Sequence, residues 1–121
     1  SLPNPGRPTR QFRVEIRTTS QIKGYFRIGE KSSGQFVEFG TNSVLMENGS
    51  IIILNLGTFE LIKISSANQA TNLFRYIKRG AFFKIPHGNP TITIEYRADD
   101  AAAWTSTLPA QVELFLNPSY Y

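Results

Sequence analysis

Glu47-Asn48-Gly49-Ser50 separates the apolar segment Val44-Leu45-Met46 from the run Ile51-Ile52-Ile53-Leu54-Asn55-Leu56. Asn and Gly tolerate the positive φ that both central residues of a type I′ turn require, so Asn48 and Gly49 predict a β-hairpin. Working outward, Phe12-Arg13-Val14-Glu15-Ile16-Arg17 alternates apolar and charged residues, a strand with one dry and one charged face. Residues 25–28 continue the alternation, with Gly24 and Gly29 as breaks, and residues 35–39 form a short strand between Gly34 and Gly40. Further strands are expected at 59–64, 81–85, 91–97 and 111–116. In the third of these, Ile92, Ile94 and Tyr96 share one face; in the last, Val112, Leu114 and Leu116 do.

Residues 71–78 differ in character. Leu73, Phe74 and Ile77 fit one helical face, enough for a short helical turn and no more. Pro86-His87-Gly88-Asn89-Pro90 is a turn cluster, and residues 99–107 form a loop of small and polar residues that carries Trp104. Turn signals at intervals of roughly ten residues place the chain in the all-β class, as an antiparallel β-sandwich of about eight strands. Residues 1–8, rich in Pro, Asn and Gly, read as a linker or the edge of an excised domain, and residues 9–121 as a single domain.

The 121 residues contain no cysteine, which excludes disulfides and thiolate metal sites, and one histidine, His87, which excludes a two-histidine acid–base scheme. No apolar run approaches the length of a membrane-spanning helix. The net charge of +4 is unevenly spread. Arg7, Arg10, Arg13, Arg17, Lys23, Arg27 and Lys31 crowd the first third, and Arg75, Lys78, Arg79 and Lys84 form a second basic knot. Such a balance permits an anionic partner without requiring one.

Asp99 and Asp100 are adjacent carboxylates, but neighbouring strand positions point apart, and no loop has the acidic spacing that calcium needs. His87, between Pro86 and Gly88, has no nucleophile or carboxylate at a recognisable spacing. No catalytic, metal-binding or cofactor-binding residue is assigned, so the expected role is non-enzymatic. Trp104 is a candidate contact residue: a Trp among small residues either stacks on a sugar or partner, or packs over an open end of the sandwich. Tyr96 is a second candidate stacking ring. Arg13 and Arg17 form a charged strand face suited to a partner contact or a solvated edge. That face lacks the interleaved aromatics of a single-strand nucleic-acid site, so nucleic acid is not expected.

From residue 48 onward the order of features resembles the C-terminal half of distal tail proteins of long-tailed siphophages. Asn48-Gly49-Ser50 and the 51–56 run are followed by Asn72-Leu73-Phe74-Arg75-Tyr76-Ile77. Then comes Phe82-Phe83-Lys84-Ile85-Pro86-His87-Gly88-Asn89, similar to that family's bulky pair, Pro-x-Gly-Asn turn and alternating strand. Val112-Glu113-Leu114-Phe115-Leu116-Asn117-Pro118-Ser119-Tyr120 resembles its last strand and aromatic ending, and Asn4-Pro5-Gly6 its domain start. The resemblance implies a galectin-like sandwich projecting from a tail-tip hub in the virion, docking tail-tube, receptor-binding or baseplate proteins. In the family a further N-terminal domain forms a homo-hexameric ring, so the isolated domain is expected to be a monomer. The matching positions Asn48, Gly49, Pro86, Gly88 and Asn89 are turn formers. An alternative expectation, carried by Trp104 and Tyr96, is a carbohydrate-binding module that contacts host-surface glycans.

Overall fold

Alternating strands build two antiparallel sheets that share one apolar interior. The structure is a computed structural model and describes residues 12–88 and 90–116. The elements in order are β1 (Phe12–Arg17), β2 (Ile22–Glu30), β3 (Gln35–Met46), β4 (Ile51–Asn55), β5 (Glu60–Ile64), β6 (Ala70–Asn72), a 3₁₀ turn (Phe74–Tyr76), β7 (Ile77–Gly80), β8 (Ile92–Arg97) and β9 (Gln111–Leu116). One sheet runs β6-β5-β4-β1-β9 and the other β7-β3-β2-β8. The all-β sandwich expected from the alternation is therefore present. Among the described residues it has nine strands and a single helical turn, inside the 71–78 segment that predicts one.

Period-two patterning puts Val14, Ile16, Ile52 and Leu54 of one sheet against Phe26, Ile28, Val37 and Phe39 of the other, all fully buried. Burying each such side chain contributes roughly 1.5–3 kcal/mol, which makes this layer the main source of stability. Phe26 anchors it, its ring centroid 6.0 Å from that of Phe39 and 5.3 Å from that of Tyr96.

Four expectations about local structure are corrected. Asn48 and Gly49 do form a tight turn, in which Ser50 N–H donates to the Glu47 carbonyl at 3.1 Å. Only Gly49 has positive φ (82°), however, so the turn has the pattern of type II rather than I′. It does not close a hairpin either, because β3 pairs with β2 and β7 while β4 pairs with β1 and β5. The turn carries the chain from one sheet to the other, where Gly49 N–H bonds the Thr18 carbonyl at 3.0 Å. Secondly, Gly24, Gly29 and Gly40 lie inside strands, and the segments 35–39 and 44–46 belong to one strand, β3. Thirdly, 81–85 is not a strand. Its alternation is real, since Phe83 and Ile85 are buried, but the segment makes only an isolated bridge, at Ile85, and the strand there is β7, just before it. Finally, β1 is not at an edge, because β4 and β9 flank it. Residues 1–8, Asn89 and Asn117-Pro118-Ser119-Tyr120 lie outside the described residues.

The true hairpin of the four-stranded sheet joins β2 to β3. Its loop is organised by Glu30, buried at the end of β2, whose carboxylate accepts from Ser32 N–H (2.9 Å), Ser33 N–H (2.9 Å) and the Ser32 hydroxyl (2.7 Å). Burial by itself raises this carboxyl's pKa. The serine donors outweigh it and lower the pKa from 4.5 to about 2. Folding is thus favoured by the ionised form. The contribution, about 2–3 kcal/mol, is complete above pH 4.5 and disappears as pH falls to about 2. Urea unfolding of the parent and Glu30→Gln proteins should show that gap at pH 7 and its closure toward pH 2. A gap independent of pH would refute the assignment.

Candidate functional site

The outer face of the four-stranded sheet carries most of the unusual side chains. Tyr25, Arg27 and Gly29 of β2 face away from the core there, beside Phe36 and Glu38 of β3 and Thr93, Glu95 and Arg97 of β8. Glu38 lies between the core residues Val37 and Phe39 and so points outward, yet its side chain is only 2% exposed. Its cross-strand neighbours are Arg27 and Arg79, and Arg97 Nη2 reaches its carboxylate at 2.9 Å. Arg97, itself 12% exposed, also lies over the Tyr25 ring at 5.3 Å. Burial raises the Tyr25 pKa, and the nearby Asp100 charge adds to this against the opposing pull of Arg97. Tyr25 therefore stays a neutral phenol on this face.

Trp104 joins the face through the 99–107 loop. After β8 the chain turns back, and Thr105 bridges Tyr96 through both backbone hydrogen bonds, at 2.8 and 2.9 Å. This sets Trp104 alongside β8 and brings the guanidiniums of Arg27 and Arg97 each 4.5 Å from its ring centroid. Trp104 is half-buried on the sheet, away from the open end of the sandwich that one reading assigned to it. Arg27 in turn pairs with Glu95 at 2.7 Å. The sequence singled out Trp104, but not Arg27, Glu38, Glu95 or Arg97. A signal for them existed in the outward phase of β2 and β8, where Arg27, Glu95 and Arg97 fall on the parity opposite to the apolar Phe26, Ile28, Ile92 and Ile94.

The other candidates separate from this site. Tyr96 as an outward stacking ring is corrected: it packs on Phe26 in the interior, and its hydroxyl donates to the Lys23 carbonyl. Arg13 and Arg17 are on the outer face of the opposite sheet, where both bind the largely buried Glu15, at 3.0 and 2.6 Å. Arg13 also covers Phe115, 4.4 Å from its centroid. Their charge is largely spent within the sheet. Asp99 accepts from Ala101 N–H at 2.9 Å, and Asp100 lies 3.8 Å from Lys78, so the two carboxylates do not converge. Among the described residues no group of three or more His, Cys, Asp or Glu is placed to hold a metal ion. Among the described residues no helix is long and apolar enough to cross a membrane.

A second surface was not foreseen. Phe59 in the β4–β5 turn, Phe74 in the 3₁₀ turn and Phe82 after β7 come together far apart in sequence. The Phe59 and Phe82 rings stack at 5.7 Å, and Phe74 meets Phe82 edge-on at 5.7 Å. Phe59 is 52% exposed and Phe74 44% exposed. Phe59 also holds φ at 55°, a costly conformation for a bulky residue. Arg75, Arg79 and Lys84 belong to the same stretch of chain, and among the described residues no carboxylate lies within ion-pair distance of them. Set against known proteins, the chain matches no family model, no curated protein and no solved structure.

Proposed function

We propose that the chain is a non-enzymatic docking domain of a phage tail-tip hub, holding neighbouring baseplate or receptor-binding proteins. The observation that carries docking is the Phe59–Phe74–Phe82 cluster. Its rings are already packed on one another, so a partner orders little when it binds, and clustered exposed aromatics have the composition of an interface core. The setting is supported by the distal-tail resemblance of residues 48–56 and 72–96. In that setting the domain sits in the virion at the tail tip, next to the tail tube, and ring symmetry of the full-length hub multiplies modest contacts.

Two measurements test this reading. Gold-labelled antibody against the chain should decorate the tail end of phage particles; labelling absent from tails removes the phage setting. Binding of purified tail-tip proteins should weaken about tenfold or more in Phe74→Ala, with stability changed by less than about 1 kcal/mol. Unchanged affinity removes the cluster as the docking surface. A second reading, a carbohydrate-binding module for host-surface glycans, is favoured by a separate observation: the aromatic and charged groups gathered around Trp104.

A further inference from the structure

The outer face of the four-stranded sheet dips at Gly29, which stands between its cross-strand partners Phe36 and Thr93. With no side chain at Gly29, the neighbours wall a groove of about 180 Å³, lined by Arg27, Lys31, Gln35, Phe36 and Thr93. The dip is built into the backbone: a Cβ on Gly29 would lie 2.8 Å from the Gln35 carbonyl oxygen. At one end Arg27 lies between two rings, 6.0 Å from the Phe36 centroid and 4.5 Å from that of Trp104. Its Nε and Nη2 both reach Glu95 Oε1, at 3.1 and 2.7 Å. Among the described residues no donor reaches Glu95 Oε2. A wider hollow, about 450 Å³ beside Glu30, Pro86 and Pro90, has no Phe, Tyr or Trp among the described residues that line it.

These groups discriminate between ligand classes. An anionic ligand needs cations whose charge is uncompensated, but Glu95 neutralises Arg27, and Glu38 holds Arg97. A phosphate here meets a carboxylate, and Lys31 at the rim is an exposed single charge of little value. A neutral sugar has what the groove lacks. Its hydroxyls donate and accept at once, matching a free carboxylate oxygen, a guanidinium N–H and the Thr93 hydroxyl. Its C–H face suits an aromatic wall. We infer that the groove over Gly29 is a site for a neutral pyranose ring, with Arg27 and Glu95 meeting its hydroxyls, Phe36 backing its apolar face and Trp104 holding Arg27 in place. The inference rests on the saccharide reading and is independent of the docking one.

Trp104 is the single tryptophan, so its emission reports this face alone. Titration with methyl glucoside, methyl galactoside, N-acetylglucosamine and lactose should give a saturable emission change for at least one of them. Half-saturation is expected in the millimolar range, as befits a ligand of about a dozen non-hydrogen atoms. Inorganic phosphate and glucuronate should give none. Glu95→Gln, which keeps the shape, should weaken binding about tenfold, and Thr93→Tyr, which fills the groove from an outward position, should abolish it. Amide NMR spectra of each variant would establish that it is folded. A glycan-array signal with Trp104 emission and both variants unaffected overturns the site while leaving the saccharide reading standing. Silence on the array and in the titration overturns both. A response to phosphate equal to that of the sugars makes this an anion site and overturns the inference.

Discussion

Arg97→Ala is expected to destabilise the fold by about 3–5 kcal/mol, lowering the melting temperature by about 10–20 °C. The magnitude comes from what is left behind. Glu38 is buried on the outer face of β3, and Arg97 Nη2 is 2.9 Å from its carboxylate. Without that guanidinium a carboxylate stays out of water with its charge uncompensated, which costs more than the pair itself contributes. Two companions separate the causes. Glu38→Gln removes the charge but keeps an acceptor, and should cost less than about 2 kcal/mol. The double variant Glu38→Leu with Arg97→Met removes both charges and should recover much of the loss. Trp104 provides an independent readout, because Arg97 lies against its ring; Arg97→Ala should shift its emission to the red. An Arg97→Ala protein as stable as the parent would mean that water reaches Glu38 in solution.

The same residues show what could be read from the chain. Alternation is a local property, and it located β1, β8 and β9, while β4 showed as a continuous apolar run. Which strand neighbours which depends on pairing between distant segments, which alternation does not encode. Arg13 and Arg17 therefore read as an edge although β4 and β9 cover both sides of β1, and Asn48-Gly49 read as a hairpin although the next strand belongs to the other sheet. β6 and β7 were missed because they are only three and four residues long, with no apolar alternation. For the candidate site, Trp104 stood out by composition alone. Arg27 and Arg97 looked like ordinary strand charges, since their significance arises only when a loop 98–105 folds back over β8. The phenylalanine cluster was illegible for the same reason, its three rings coming from three separate connections.

Gly40→Ala should cost about 4 kcal/mol, and the reason is backbone proximity. Gly40 lies within β3 at φ 152°, and an added Cβ would sit 2.2 Å from the Gly24 carbonyl oxygen and 2.5 Å from Tyr25 Cα. No side-chain rearrangement relieves a clash with backbone atoms, so β2 and β3 have to separate where their register already shifts, beside Gly24. Strain from the conformation and from overpacking, each about 1–3 kcal/mol, act together. Gly34→Ala is the matched control. Gly34 also has positive φ (69°), in the β2–β3 loop, but nothing lies within 4 Å of its added Cβ. It should lose only about 1 kcal/mol, the conformational part. Chemical denaturation of the two variants measures the difference directly. Equal losses would mean that backbone conformation alone demands glycine at position 40. A loss several times larger at Gly40 assigns the demand to the close approach of β2 and β3. That approach fixes the spacing of Tyr25 and Glu38 on the outer face, so Gly40→Ala should also move the Trp104 emission while Gly34→Ala leaves it unchanged.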